Sequence, residues 1–252
     1  SEKKEVGLCM KQYGLIGYPL SHSFSKGYFS EKFSKEKITD SNYEIYPIET
    51  IQHFEALCQS HPDFIGLNVT IPYKEQVIPF LDALDEEAKS IGAVNTIKFE
   101  NGKKIGYNSD CYGFERSIKP FLQTHHKEAL ILGTGGASKA VEYVLKKLGI
   151  QFQYVSRAKS ERAISYNDLN EEIIQKSTII INTSPVGMYP NVTAAPPIPY
   201  EFIGEKHLLY DLVYNPEETL FLKNGKTKGA QVKNGLEMLY LQAERSWEIW
   251  NS

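Results

Sequence analysis

Leu130-Ile-Leu-Gly133-Thr134-Gly135-Gly136-Ala137-Ser138-Lys139-Ala140-Val141 joins an apolar run, a glycine cluster and the start of a helical pattern, and its reading decides the fold. The run from Ala129 to Leu132 predicts a buried strand. Ala140, Val141, Val144, Leu145 and Leu148 then recur on one helical face until Gly149 stops it. Between strand and helix the glycines permit a sharp turn and let a pyrophosphate approach the main chain. The helix N-terminus beyond offers unpaired N–H groups and the positive end of its dipole. A bare G-x-G arises by chance; the flanking strand and helix make this one a dinucleotide-binding turn, with Ser138 where the usual fingerprint has its third glycine.

The second strand of such a unit runs from Phe152 to Val155, and its end selects the adenosine ribose. No carboxylate stands there to accept the 2′-hydroxyl of NAD; the chain reads Ser156-Arg157-Ala158-Lys159 before reaching Glu161. A guanidinium matches a 2′-phosphate bidentately, so NADP is favoured over NAD. Further on, the apolar strand Thr178-Ile-Ile-Ile-Asn182 ends in Thr183-Ser184-Pro185-Val-Gly187-Met188, a loop on the cofactor side, and Leu208 to Val213 is the next strand. Asn215-Pro216-Glu217-Glu218 predicts an N-cap, a proline at N1 and an acid at N3 for a helix over Leu220 to Leu222 that Gly225 closes. After a short strand, Ala230 to Val232, Asn234-Gly235 precedes a last helix with Leu236, Leu239, Ala243, Trp247 and Trp250 on one face. That helix is expected to fold back on the N-terminal half. Gln242 beside the stripe is either a surface amide or one that faces a ligand.

The N-terminal half also alternates β and α. Tyr13-Gly-Leu-Ile-Gly17 reads as a buried strand, followed by a loop with Ser21, His22, Ser23 and Ser25 before a helix patterned on Phe24, Tyr28, Phe29 and Phe33. One serine there can cap the helix, and two spaced i, i+2 can donate to an anionic oxygen. Tyr43 to Ile48 is a strand, Ile51, Phe54 and Leu57 mark a helix, and Phe64-Ile-Gly-Leu-Asn68-Val-Thr70 is a strand again. Ile71-Pro72-Tyr73-Lys74 follows, with Pro72 expected in the first turn of a helix and Lys74 at its start. Ligands collect beyond strand carboxyl ends in open α/β sheets, which makes Asn68, Thr70 and Lys74 candidates to face one. Ile91-Gly-Ala-Val-Asn95-Thr-Ile-Lys-Phe leads into Asn101-Gly102 and Lys103 to Tyr107, a hairpin signal. Asp110 then sits at an N-cap position and at the junction of the two halves, as a helix cap or as a site residue.

The 252 residues suffice for two modest domains, and 41% hydrophobic with 23% charged content is that of an ordinary globular protein. No apolar run is long enough to span a bilayer, and Ser1-Glu-Lys-Lys-Glu is unlike an export signal, so a cytoplasmic protein without membrane partners is expected. Cys9, Cys58 and Cys111 form no metal-ligand spacing and read as thiols, and a net charge of −3 gives no nucleic-acid footprint.

Taken in order, Ser21-His-Ser23, N-V-T-I-P-Y-K ending at Lys74, G-A-V-N-T containing Asn95, N-S-D ending at Asp110, G-T-G-G-A-S-K-A, S-P-V-G-M, D-L-V-Y-N-P and N-G-L-E-M-L-Y-L-Q-A resemble the shikimate dehydrogenase family from about Tyr13 to Gln242. The resemblance implies NADPH-dependent interconversion of 3-dehydroshikimate and shikimate. It implies an α/β chain of two domains: an N-terminal substrate domain, 1–109 with 235–252, and a Rossmann-type NADP-binding domain, 110–234, the C-terminal helix packing on the former. By that resemblance Ser21 and Ser23 bind the substrate carboxylate. Asn68, Thr70, Asn95, Asp110 and Gln242 surround the ring hydroxyls, Lys74 and Asp110 form the catalytic pair, and Tyr214 lies near the substrate. The cofactor falls to Gly133, Thr134, Gly135, Gly136, Ala137, Ser138, Ser156, Arg157, Thr183, Pro185, Met188, Leu212 and Gly235, with no metal, in a monomer or homodimer.

The chain departs from the family pattern at Ser156-Arg157-Ala158, where Asn-Arg-Thr is usual, at Ser109 for threonine and at Cys111 for glycine. A quinate/shikimate dehydrogenase of broader substrate and cofactor use, a non-catalytic NADP-binding sensor and a folate-linked NADP dehydrogenase are the rival readings. Lys74 and Asp110 count against the sensor, and the N-terminal motifs against the folate enzyme.

Overall fold

The structure, a computed structural model, describes residues 9–21 and 23–252. The charged stretch Ser1 to Glu5 and His22 of the serine loop lie outside the described residues. The chain divides into two compact units, one ending at Asn108 and completed by Ser246–Ser252, the other Ser109–Arg245.

The first unit contains β1 (Lys11–Gly17), α1 (Phe24–Lys35), β2 (Ser41–Pro47), α2 (Phe54–Ser60), β3 (Phe64–Val69), β4 (Ala83–Leu84), α3 (Glu86–Ile91), β5 (Thr96–Glu100) and β6 (Lys103–Tyr107). Its sheet runs β2-β1-β3-β5-β6-β4, with β1 parallel to β2 and β3 and β5 antiparallel to β3 and β6. The β5–β6 hairpin turns at Asn101 and Gly102, φ 51° and 74°, the left-handed pair that an Asn-Gly turn supplies. The strand before it starts at Thr96, later than the alternation predicts: Ile91 ends α3, whose cap Gly92 is left-handed at φ 75°. A larger correction concerns Lys74, which lies in a run of turns and in no helix. The Ile71–Pro72 peptide is cis, and burial of Tyr73 and Val77 holds the segment against the sheet in turns closed by Tyr73 N–H to Thr70 O and Val77 N–H to Tyr73 O.

Side chains alternate across β1. Ile16 joins Leu67, Val69, Val94, Ile97 and the α2 residue Phe54 on one face, while Tyr13 on the other packs on Trp247 and Trp250, ring centroids 5.3 and 4.9 Å apart. Phe29 and Tyr43 stack at 4.6 Å in the same aromatic cluster. The Trp250 indole fills the space above Gly66, where any Cβ would collide with it, and donates Nε1–H to Ile97 O at 3.0 Å. The end of the last helix therefore packs on the N-terminal sheet, as expected.

The second unit contains α4 (Asp110–Ile118), β7 (Glu128–Leu132), α5 (Gly136–Lys147), β8 (Gln151–Ser156), β9 (Ala163–Ser165), α6 (Glu171–Lys176), β10 (Ile179–Asn182), β11 (Leu208–Asp211), α7 (Leu220–Thr227), β12 (Gln231–Lys233) and α8 (Leu236–Trp250), the last running on into the first unit. All six strands are parallel in the order β12-β11-β10-β7-β8-β9. This is the doubly wound Rossmann order, with its topological switch between β7 and β10. Leu130, Ile131, Ile180, Ile181 and Leu209 are fully buried, as the unbroken apolar runs require of a sheet covered on both faces.

Two predicted helix ends are corrected. α7 is capped by Thr219, whose side chain accepts from Leu222 N–H, and not by Asn215, because the buried carboxylate of Asp211 holds the Thr219 hydroxyl at 2.6 Å and fixes it at the helix start. Gly225 lies inside α7, where Leu209 packs on its bare backbone; the left-handed residue beyond the helix is Gly229, φ 91°. In α8 the buried positions are Met238, Ala243, Ser246, Ile249 and Trp250, with Leu236 exposed.

Candidate active site

In the first unit the expected substrate residues gather where β1 and β3 end. A Cβ at Gly17 would collide with Thr70 Cγ2, and Thr70 N–H donates to Ile16 O at 2.9 Å. Lys74, half-buried, accepts at its carbonyl the N–H of Val94 at 2.8 Å, and Asn95 accepts the N–H of Val69 at 2.8 Å. Thr70, Lys74 and Asn95 are thereby tied to one sheet edge by backbone bonds. Ser23 is the N-cap of α1, accepting from Lys26 N–H at 3.2 Å, and Ser21 is exposed in the same loop. A hydroxyl that caps by its lone pair keeps its proton for another acceptor. Asn68 is 5% exposed and spends both ends of its amide inside the unit, accepting from Tyr43 and donating to Asn95 O and to Ser246.

Asp110 is the first residue of α4, preceded by Ser109 at the cap position, and is buried. α4 and α8 cross closely at Gly113: a Cβ there would lie 2.5 Å from Met238 O and 3.3 Å from Gln242 N. The turn carrying Asp110 thus runs alongside the turn carrying Gln242.

The expected cofactor residues form a row along the carboxyl edge of the second sheet. Hydrogen bonding continues past the strand ends: Gly133 N–H to Val155 O, Thr183 N–H to Leu132 O, Leu212 N–H to Asn182 O and Gly235 N–H to Val213 O. Gly133 is left-handed at φ 103°, and Gly135, the N-cap of α5, has open space where a Cβ would be. No side chain caps this helix start, which leaves room and N–H groups for an anion.

Beside the turn is a recess of ≈ 270 Å³ lined by Thr134, Ser138, Lys139, Ser156, Ser160 and Arg162, among others. Its cations are Lys139 and Arg162, which the reading of the sequence passed over in favour of Arg157, itself exposed at the start of the loop. Arg162 is held 3.1 Å from Glu142 and over the Tyr154 ring, 5.2 Å to the centroid. Glu142 also accepts from Tyr154 at 2.8 Å. These donors with Lys146 and Arg162 outweigh burial and keep its carboxyl below the usual range. Arg162 stands six residues beyond the end of β8, and the intervening loop separates it in sequence from the strand end it serves.

A buried network also escaped the sequence. Asp211 accepts from Thr219, from Val213 N–H at 3.0 Å and from Asn182 Nδ2 at 3.1 Å, and Asn182 Oδ1 accepts Ser184 Oγ–H at 2.6 Å. It ties the Thr183–Met188 loop to the loop that carries Leu212 and Tyr214. Burial pushes the Asp211 carboxyl up to about 6 against these three donors.

Residues 15–97 match the model of the shikimate dehydrogenase substrate binding domain. The chain is 39% identical over 255 residues to the shikimate dehydrogenase (NADP(+)) of Methanococcus aeolicus, covering 95% of this chain and 91% of the relative. The chain belongs to the shikimate dehydrogenase family. Among solved structures, shikimate dehydrogenase from Aquifex aeolicus superposes with a TM-score of 0.85 at 36% identity, covering 96% of this chain and 92% of that one. The shikimate 5-dehydrogenase of Thermus thermophilus, solved with NADP(H) and shikimate, gives 0.84 at 29%, covering 96% and 93%. Family membership accounts for both units at once, a substrate-binding domain and a Rossmann-type one. Among the described residues no helix is long and apolar enough to cross a membrane and no cluster of metal-binding side chains occurs.

Proposed function

We propose that this member of the family is an oxidoreductase that reversibly reduces 3-dehydroshikimate to shikimate with NADPH, in aromatic amino-acid biosynthesis. The observation that carries the reading is the cationic recess beside the glycine turn, in a chain similar end to end to NADP-dependent shikimate dehydrogenases. The open backbone at Gly135 and the uncapped start of α5 suit a pyrophosphate, and Lys139 and Arg162, with Arg157 at the loop start, suit a 2′-phosphate. Thr134, Gly136, Ala137, Ser138 and Ser156 complete that seat. Thr183, Pro185, Met188, Leu212 and Gly235 would hold the rest of the cofactor, with Gly235 near its nicotinamide. When bound, NADPH supplies the hydride.

The remaining chemistry belongs to side chains. Ser21 and Ser23 donate hydroxyl protons to the substrate carboxylate. Lys74 places its ammonium at the ketone oxygen, where it stabilises the negative charge that develops there and gives up a proton to it. Asp110 accepts a hydrogen bond from a ring hydroxyl and so fixes the ring for attack. Thr70, Asn95, Tyr214 and Gln242 hold the other oxygens, with Asn68 behind them. Cytoplasmic location and a monomeric or homodimeric state go with this reading.

The deciding assay follows NADP reduction by the purified protein with shikimate, with quinate and NAD as controls. Turnover of shikimate with NADP far above the three control pairings is expected. Absence of shikimate turnover sinks the proposal, and preference for quinate or NAD redirects it.

A further inference from the structure

Arg162 reaches the recess beside the glycine turn from a backbone that is already fixed. Ser160 Oγ accepts the N–H of Arg162 at 3.3 Å and that of Ala163 at 3.1 Å, and β9 begins at Ala163. The Arg162 side chain, 60% exposed, is held by one carboxylate and one ring. Glu142 lies one turn beyond the recess-lining Ser138 on the same face of α5, and its side chain is only 17% exposed. Its Oε1 meets Lys146 Nζ at 3.1 Å, while Oε2 accepts Tyr154 Oη–H at 2.8 Å and Arg162 Nη2–H at 3.1 Å. Tyr154 also places its ring against the guanidinium, whose Cζ is 5.2 Å from the ring centroid. A single atom, Glu142 Oε2, thus joins helix α5, strand β8 and the loop that follows it.

A pair with one partner so exposed adds little to stability, and a carboxylate beside an anion seat repels the anion. What the arrangement supplies is order. A guanidinium has several N–H donors in a rigid fork, and holding it by one of them against a flat ring sets the direction of the rest. An unheld arginine gives up its rotamer freedom only at the moment of binding, at the expense of affinity. We propose that Glu142 is a positioning residue for cofactor choice: through its hold on Arg162 it presets the guanidinium that receives a 2′-phosphate. This rests on the reading that Arg162 meets that phosphate.

The two effects of Glu142 have opposite signs, which separates them by experiment. Removing its charge alone tightens a phosphorylated ligand; removing its hold on Arg162 weakens one. The test is calorimetric titration of wild type, Glu142→Ala, Arg162→Ala and the double variant with NADP and with NAD. Glu142→Ala is expected to raise Kd for NADP about three- to tenfold, the cost of ordering one long side chain, and to leave Kd for NAD within about twofold. Added to Arg162→Ala it is expected to cost nothing further. An unaltered ratio of the two Kd values in Arg162→Ala overturns the reading of Arg162 as a phosphate contact. The positioning role alone is overturned if Arg162→Ala loses NADP selectively while Glu142→Ala binds it as well as wild type or better, if Glu142→Ala weakens NADP and NAD equally, or if the losses add in the double variant. Glu142→Leu, which also lacks an acceptor, serves if Glu142→Ala does not fold.

Discussion

The backbone of Gly235 approaches the carbonyl oxygen of Leu212 so closely that a Cβ at 235 would collide with that oxygen. Both residues stand in the row of expected cofactor contacts, and the obstacle is main chain rather than a side chain that could swing away. Gly235→Ala is therefore expected to displace the start of α8 and the end of β11 together, destabilising the protein by about 1–3 kcal/mol. Urea unfolding and NADPH titration by fluorescence check it; normal values in both would show that the strand end yields freely.

Lys74 carries the proposed proton transfer. Lys74→Ala is expected to lower kcat by roughly 10² to 10⁴, the range for a lost general acid, with a smaller change in KM for shikimate. A variant with wild-type kcat would remove Lys74 from the chemistry.

Arg162 lines the recess while Arg157 stands at the loop start. Arg162→Ala is expected to raise KM for NADPH by about ten- to a hundredfold, corresponding to about 1.5–3 kcal/mol for hydrogen bonds to a charged group, while leaving KM for NADH nearly unaltered. Arg157→Ala is expected to act in the same sense. Equal effects on both cofactors would show that neither guanidinium reads the 2′-phosphate.

Asp211 makes stability depend on pH. Its folded value, raised by burial to about 6 from 3.8, means that the folded protein binds a proton more tightly than the unfolded chain. Its contribution is present in full below the unfolded value and is lost as pH rises through about 6, by about 3 kcal/mol in all for a shift of this size. Unfolding free energies of wild type and Asp211→Asn between pH 4 and 8 measure it: the advantage of wild type over the variant should shrink as pH rises. A constant difference would assign Asp211 an ordinary carboxyl.

What the sequence made legible was local. The turn at Gly133 and the hairpin at Asn101-Gly102 rest on backbone conformations that glycine and asparagine adopt within a few residues, and both occur where their residues stand. The helix start expected at Lys74 and the Asn215-Pro216 cap failed for one reason: the packing of buried groups nearby in the chain overrode a local preference. Tyr73 and Val77 pull the first segment into turns, and Asp211 claims Thr219 for the second. Arg157 was the nearest cation to the strand end in sequence, but loop folding brings Arg162 to the recess. Asn68 and Ser246 are 178 positions apart, and no periodicity joins them.

That separation also orders the events of synthesis. The segment Ser246–Trp250, whose indole covers Gly66, leaves the ribosome only after the whole of 109–245, a contiguous stretch that can fold as soon as it emerges. The unit made first must therefore wait, with Tyr13 and the α1 residue Phe29 lacking their Trp250 contacts, until the unit made second is complete. Protease resistance in stalled nascent chains should appear for 109–245 before it appears for the first hundred residues.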